Sequence, residues 1–328
     1  MKNPVISVVM SVYNGEKYLR EAIESILGQT FIDFEFIIIN DGSTDESAAI
    51  ISSYNDTRIR LIQQENKGLA PALNVGLKVA RGKYIARMDA DDISLPGRFE
   101  KQFNFLESHP ECVAVGSNAK IIDKAGEYLY TAGNPTAWEE ILHYLPNTPF
   151  FHSSTMFRKD LAIECGGYFE EIKHHFEDMI FWNKMAELGE LRNIEEPLLK
   201  YRLVPSAITN RSIETSAIMR RMCMNILRDG SISQSDFRLL QSITQKRSKT
   251  WEKSNYYLRI GKVYIERNLQ RRKAANNLIK SLLNYPLNGT AWFNLALLLL
   301  PESVIKRWKR HRGIFLGYIR ISQLVKRL

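Results

Sequence analysis

YIARMDADDISLPGRF, residues 84–99, puts three carboxylates, Asp89, Asp91 and Asp92, within four residues, directly after an apolar run. Like charges this close repel one another, and a chain does not need such a cluster in order to fold. Hard divalent cations take oxygen ligands and are commonly held by one or two carboxylates plus substrate phosphates. The D-x-D spacing of Asp89 and Asp91 can turn two carboxylates into one cleft. The structural alternative is a solvated turn in which Asp92 or Ser94 caps the helix that starts near Pro96.

Outward from this stretch, the chain alternates strand and helix. Val5–Val12 ("VISVVMSV"), Phe34–Ile39 ("FEFIII"), Ile59–Ile62 and Tyr84–Met88 read as strands. Lys17–Leu27, Asp45–Ser53 and Leu69–Ala80 read as the helices between them. Continuous apolar runs suit strands buried on both faces, as in a parallel sheet, and the alternation predicts βαβ units. In such sheets ligands bind beyond the carboxyl ends of the strands. The polar stretches "YNGE", "NDGSTD" and "DADD" all fall at that edge. Beyond Pro96 the pattern is less regular. Arg98–Glu107 and Met179–Leu188 read as helices, Val113–Val115 and Ile121–Ile122 as short strands, and the region from Ile213 onward as mostly helical.

Two further acidic points stand out. In "INDGSTDES" (39–47), Asp41 ends a strand, where a carboxylate can accept a nucleobase N–H or simply serve a turn. In "HHFEDMIFW" (174–182), Glu177 and Asp178 precede a helix. They either favour its N-terminal dipole or supply a general base.

The bulk properties narrow the class. The 328 residues carry a net charge of +9. Through Arg202 there are 21 Lys and Arg against 30 Asp and Glu, a net of −9; beyond it, 24 against 6, a net of +18. An acidic body and a basic tail suggest different partners for the two parts. Three scattered cysteines, Cys112, Cys165 and Cys223, form no metal or disulfide pattern and suit a reducing cytosol. No run approaches the roughly 18 apolar residues of a membrane span.

With these blocks in place, the chain strongly resembles the inverting family 2 glycosyltransferases, which have the α/β, mostly parallel GT-A nucleotide-sugar-binding fold. Five ordered blocks over about residues 4–210 carry the resemblance: "SVVMSVYNGEKYLREAIESILGQTF", "DFEFIIINDGSTDES", "NKGLAPALNVGLKVARGKYIARMDADDISLPGRF", "HSSTMFRKDL…GGYFEE…FEDMIFW" and "EEPLLKYR". The flavour is that of bacterial enzymes extending lipo-oligosaccharide, O-antigen or capsule glycans. The resemblance implies a catalytic domain over 1–210 and a basic, mostly helical region over 211–328. It implies that Tyr13 and Asn14 line the nucleotide pocket, Asp41 contacts uracil, and Asp89 lies near the ribose and the metal. It makes Asp91 the direct ligand of Mn2+ or Mg2+, Asp178 the catalytic base, and Glu177 and Arg202 acceptor-site residues. The implied substrates are a UDP-sugar and a hydroxyl of a glycan or lipid-linked glycan. There are departures: "SVYN" replaces the frequent Pro-x-Tyr-Asn, "ND" the frequent Asp-Asp, and Val204 stands where a histidine is often found.

Two rivals fit less well. A nucleotidyltransferase would show a Gly-rich, Arg-containing phosphate loop after the first strand, and "SVYNGEKYL" has none. A non-catalytic glycan- or nucleic-acid-binding protein could use the basic tail, but that tail has no nucleic-acid motif, and the acidic loops would have no role. The expected location is therefore cytoplasmic, peripheral at the inner face of the cell membrane. "AWFNLALLLL" followed by "VIKRWKRHRG" interleaves aromatic and basic residues, as in helices that lie on anionic leaflets. The full chain should co-sediment with anionic liposomes at low salt and detach as salt screens the contact. No sedimentation at low salt would make the tail a packing or oligomerisation module instead.

Overall fold

The structure is a computed structural model that describes residues 3–171, 176–205, 213–245, 248–268, 270–301 and 304. The basic segment 306–312, with Trp308, and Phe315 lie outside the described residues. The chain divides into two compact units, Met1–Leu203 with Arg211–Thr244, and Val204–Asn210 with Gln245–Leu328.

The first unit is built on β1 (Ile6–Val12), whose side chains are almost all buried. It pairs in parallel with β2 (Phe34–Asp41) on one side and β4 (Tyr84–Asp89) on the other, and β3 (Ile59–Gln64) extends the parallel block beyond β2. Every residue of β2 is buried, as a strand covered on both faces requires. Helix α1 (Glu16–Leu27) buries Leu19, Ala22, Ile23 and Ile26, a 3.6-residue stripe. After the short α2 (Ser47–Ser52), α3 (Leu69–Val79) lies close on the sheet. At Gly76 a Cβ would come within 2.4 Å of Val9 Cγ1, so only glycine permits this approach.

The register carries three chain segments to one edge. Val12 pairs with Asn40 and Ser11 with Asp89, so β1, β2 and β4 end together. Their following loops hold Tyr13 and Asn14, Asp41 and Gly42, and Asp89 to Asp92.

The other half of the sheet is mixed. The order β3-β2-β1-β4-β8-β6-β9-β5 includes β5 (Ile93–Ser94), β6 (Cys112–Ile122), β8 (Met156–Arg158) and β9 (Glu190–Arg202). A further strand, β7 (Tyr128–Ala132), hangs on β6. Strand β8 is antiparallel to both β4 and β6, while β6 and β9 are parallel. Residues 112–122 form one long strand where the sequence pattern suggests two. The polar Ser117 and Asn118 between the apolar pairs are themselves buried, and Ser117 N–H donates to Ser154 Oγ at 3.2 Å.

The helix after the acidic loop, α4 (Arg98–Ser108), corrects one expectation. Neither Asp92 nor Ser94 caps it: the cap position is Gly97, at φ +78. Asp92 is turned inward and spent elsewhere, as described below. Three more helices complete this half: α5 (Trp138–Tyr144), α6 (Lys159–Glu164) and α7 (Glu177–Met185).

Helices α8 (Ile213–Asp229) and α9 (Gln234–Gln245) follow. Ile218, Met219, Met222, Cys223 and Ile226 of α8 form one buried cluster with Phe176, Met179 and Ile180 around the start of α7. Apolar packing thus ties α8 to the helix that bears Glu177 and Asp178. In the second unit, α10 (Lys249–Val263), α11 (Arg271–Asn284) and α12 (Gly289–Leu297) pack around Tyr256, Ala274, Leu278 and Ala291. Trp292 and Phe293 are each 55% exposed. No helix among the described residues is long and apolar enough to cross a membrane.

A chain ending at residue 210 lacks the α8 side of this cluster and should melt well below one ending at residue 244. Met222→Ala in the full chain should cost about 2–5 kcal/mol, as truncation of a buried side chain generally does. Equal melting temperatures for the two truncated chains would show that α8 does not support α7.

Candidate active site

The acidic loop forms because β4 stops at Asp89 and the chain turns sharply into β5. Carboxylate oxygens of Asp89, Asp91 and Asp92 lie within 4.8 Å of one another. Burial, then the neighbouring charge of Asp89, pushes the Asp91 carboxyl up to about 7. Asp92 is also raised well above the ordinary range, first by burial and then by Asp91 and Asp89.

The three aspartates are not equivalent. Asp92 is 1% exposed and already committed. Its Oδ1 accepts the Arg202 N–H at 2.7 Å, and its Oδ2 accepts the Ser153 hydroxyl. Asp89 forms an ion pair with Arg87. Asp89 and Asp91 are both partly exposed. A hard cation fits this donor set: two accessible carboxylates, crowded enough to gain from neutralisation, with a third that shapes the turn.

Arg202, which the sequence assigns to the acceptor site, is 4% exposed and is spent on the acidic loop. Its Nε–H donates to the Asp91 carbonyl at 2.8 Å, its Nη2 pairs with Glu21, and its guanidinium lies 4.4 Å from the centre of the Tyr18 ring. It joins the end of β9 to α1 and holds the acidic turn between them.

Asp41 is 2% exposed. It accepts from Gln64 Nε2 at 2.6 Å, from the Lys67 N–H at 2.9 Å and from the Gly68 N–H at 2.9 Å. An ionised carboxylate offers about four lone-pair sites, and these donors take three of them. Asn14, at φ +52, works as a stitch between loops: its N–H donates to Ser43 Oγ at 3.0 Å and its Oδ1 accepts the Thr44 N–H at 2.8 Å. Tyr13 beside it is 54% exposed.

Glu177 and Asp178 open α7. The residue before them, Phe176, is fully buried and left-handed at φ +47, ψ +23. For a residue other than glycine this costs roughly 1–2 kcal/mol, and such strain often accompanies functional sites. Phe176 packs in the cluster with α8, which holds the start of α7 in this conformation. Asp178 Oδ1 accepts the N–H of Met179 at 2.9 Å.

Several residues here carry no sequence signal of their own. Arg98 is fully buried, and its Nη2 donates to the carbonyls of Arg87 (2.8 Å) and Thr155 (2.9 Å). Burial, together with the nearby Arg87, lowers its guanidinium to about 9. Ser153 sits in a single 3-10 turn, His152–Ser154. His152 is kept neutral by burial and by Arg87, and its Nε2 lies 2.8 Å from the Tyr168 hydroxyl. Buried arginines and serines look like surface residues in a linear pattern, because only their tertiary neighbours reveal their use.

A parallel block with acidic loops at its carboxyl edge, followed by a mixed half that carries the second acidic pair, is the GT-A architecture of nucleotide-sugar transferases. The family described as "Glycosyl transferase family 2" matches residues 7–168. "Putative glycosyltransferase EpsE" of Bacillus subtilis is 35% identical over 237 residues, covering 68% of this chain and 83% of that protein. "O-antigen biosynthesis glycosyltransferase WbnJ" of Escherichia coli is 35% identical over 230 residues, covering 67% and 85%. A crystal structure of S. aureus TarS 1-349 in complex with UDP-GlcNAc superposes with a TM-score of 0.55 at 18% identity, covering 85% of this chain and 89% of that one. The chain belongs to glycosyl transferase family 2 and is a glycosyltransferase. The family match ends at residue 168, short of Glu177, Asp178 and Arg202.

A metal test follows from Asp91. Its proton must leave for a cation to bind, so Mn2+ affinity should fall as pH drops through about 7. Without metal the sign reverses for stability. The folded state holds this proton more tightly than the unfolded chain, whose carboxyl titrates near 3.8. The group's contribution to stability therefore declines as pH rises from about 4 to 7. Mn2+ should raise the melting temperature more at pH 8 than at pH 6, and Asp91→Asn should remove that difference. A pH-independent Mn2+ shift would dissociate Asp91 from the metal.

Proposed function

We propose that this enzyme transfers a sugar, with inversion, from a UDP-sugar to a hydroxyl of a glycan or lipid-linked glycan in bacterial surface polysaccharide synthesis. The observation that carries this reading is the placement of Arg87. Its buried charge is stabilised by Asp89, its ion-pair partner, and also by the charge of Glu177, so the acidic loop and the acidic helix start both lie within electrostatic reach of one cation. A relative named for O-antigen biosynthesis and a fold neighbour crystallised with UDP-GlcNAc support the choice of pathway and donor.

In this reading the exposed Tyr13 ring stacks on the base, Asp41 uses its remaining lone pair on uracil N3–H, and Asn14 keeps the loop in shape. Asp89 and Asp91 hold Mn2+ or Mg2+; when bound, that ion supplies positive charge where the diphosphate leaving group develops its negative charge. Asp178 accepts the proton of the acceptor hydroxyl as its oxygen attacks the anomeric carbon. The bond from that carbon to the diphosphate breaks on the opposite face, and UDP leaves. An α-linked donor therefore gives a β-glycoside. Glu177 shapes the acceptor pocket beside the base. The basic tail provides the contact with an anionic membrane surface, where a lipid-linked acceptor resides.

Asp178→Asn tests the base. Asparagine is nearly isosteric and serves a helix start about as well, but it cannot take the proton. Binding of the UDP-sugar should survive, while kcat falls by at least about 10²-fold. Near-wild-type turnover, or an effect on donor KM alone, would count against a general-base role.

A further inference from the structure

The first residue of the acidic machinery lies before the aspartates. Arg87 sits on β4 two positions ahead of Asp89, so both side chains leave the same face of the strand. It is 3% exposed, and its Nη1 pairs with Asp89 Oδ2. Its backbone is fixed on both sides: its N–H donates to the Thr155 carbonyl at 3.0 Å, and its carbonyl accepts from Arg98 Nη2 at 2.8 Å. Ile85, on the same strand face, belongs to the apolar core with Phe157, Phe181 and Trp182. Arg87 is thus a cation set on top of that core.

Such a placement needs a reason. Removing a charge from water costs several kcal/mol unless its partners compensate well, and an apolar side chain would suit this strand face. Burial works against the charge here, and Asp89 overrides it, so the guanidinium is held more firmly protonated than usual. Yet the compensation is incomplete: Nε and Nη1 are both buried without a hydrogen-bond partner among the described residues, and Nη1 meets Asp89 as an ion pair. The other arginines nearby are committed differently. Arg202 serves the Asp91 carbonyl and Glu21, and Arg98 serves backbone carbonyls, Gln102 and Met88. Among the described residues, Arg87 alone forms an ion pair with an aspartate of the acidic loop.

We propose that Arg87 is a positioning residue for the transfer: its guanidinium holds the Asp89 carboxylate in the orientation that receives the nucleotide diphosphate and its cation. This rests on the reading of Asp89 as a nucleotide- and metal-side carboxylate. The planar fork matters as well as the charge, because an ammonium on a flexible stem cannot fix a carboxylate's orientation in the same way.

The experiment is calorimetric titration of UDP in the presence of Mn2+, with melting temperatures and donor-hydrolysis kinetics measured alongside. The proteins are wild type, Arg87→Lys, Arg87→Met, Asp89→Asn and the Arg87→Met/Asp89→Asn double variant. Arg87→Met should weaken Mn2+-dependent UDP binding about tenfold or more, and Arg87→Lys should recover part of that loss while melting close to wild type. In the Asp89→Asn background, Arg87→Met should change UDP affinity less than about twofold, because a residue that acts through another shows no separate effect once that partner is gone. Wild-type affinity in Arg87→Lys and Arg87→Met overturns the proposal, as do losses that multiply independently in the double variant. If Arg87→Met does not fold, Arg87→Lys decides: a folded Arg87→Lys protein with undiminished affinity overturns it. A wild-type protein that binds no UDP with Mn2+ would instead remove the donor assignment on which the proposal rests.

Discussion

The structure is arranged around a mutual repulsion. Asp89, Asp91 and Asp92 crowd the carboxyl end of β4, and no chain gains stability from such a cluster alone. Two of the three carboxylates are therefore restrained, each from a different direction. Arg87 restrains Asp89 from within its own strand, and Arg202 and Ser153 restrain Asp92 from β9 and the 3-10 turn. Asp91, the one with no side-chain donor among the described residues, has its carboxyl pushed up to about 7 by burial and by Asp89. The cluster thus contains one structural carboxylate and two that remain accessible to a cation. Its unrelieved charge is what a bound cation would neutralise.

This restraint explains why the mixed half of the sheet belongs to the catalytic body. Strand β9 delivers Arg202 to the acidic turn only because it runs in parallel beside β6 along nearly its whole length. Arg98, at the start of α4, ties β4 to residue 155 just before β8 through backbone carbonyls. The parallel block supplies the loops, and the mixed half holds one of them in shape. The same division applies at the second acidic point. There, α8 packs on Phe176 and keeps the start of α7 in a conformation that an isolated helix would avoid.

Much of the parallel block was legible in the linear pattern. "VISVVMSV" and "FEFIII" are unbroken apolar runs that only a doubly covered strand can bury, and the helices between them show the 3.6-residue stripe. The clustering of Asp89 and Asp91, and their position after a strand, also stood in the sequence. The long strand at 112–122 was less legible, because Ser117 and Asn118 break its apolar run. Hydrogen bonding within the fold, and not hydrophobicity, is what allows those two to be buried.

Other features came only from the tertiary structure. A sequence lists Asp89, Asp91 and Asp92 as equals; the fold separates them, because burial and donors depend on what lies opposite, from Ser153 to Arg202, up to 110 positions away along the chain. It likewise lists Arg87, Arg98 and Arg202 as ordinary cations. Their roles depend on being enclosed, and enclosure is a property of packing between distant segments. The sequence by itself determined the class of fold and the residue types at the sheet edge, because hydrophobic periodicity and local charge are short-range properties. The tertiary structure decided which carboxylates face the cleft and which serve the scaffold, because desolvation and ion pairing act through space and not along the chain.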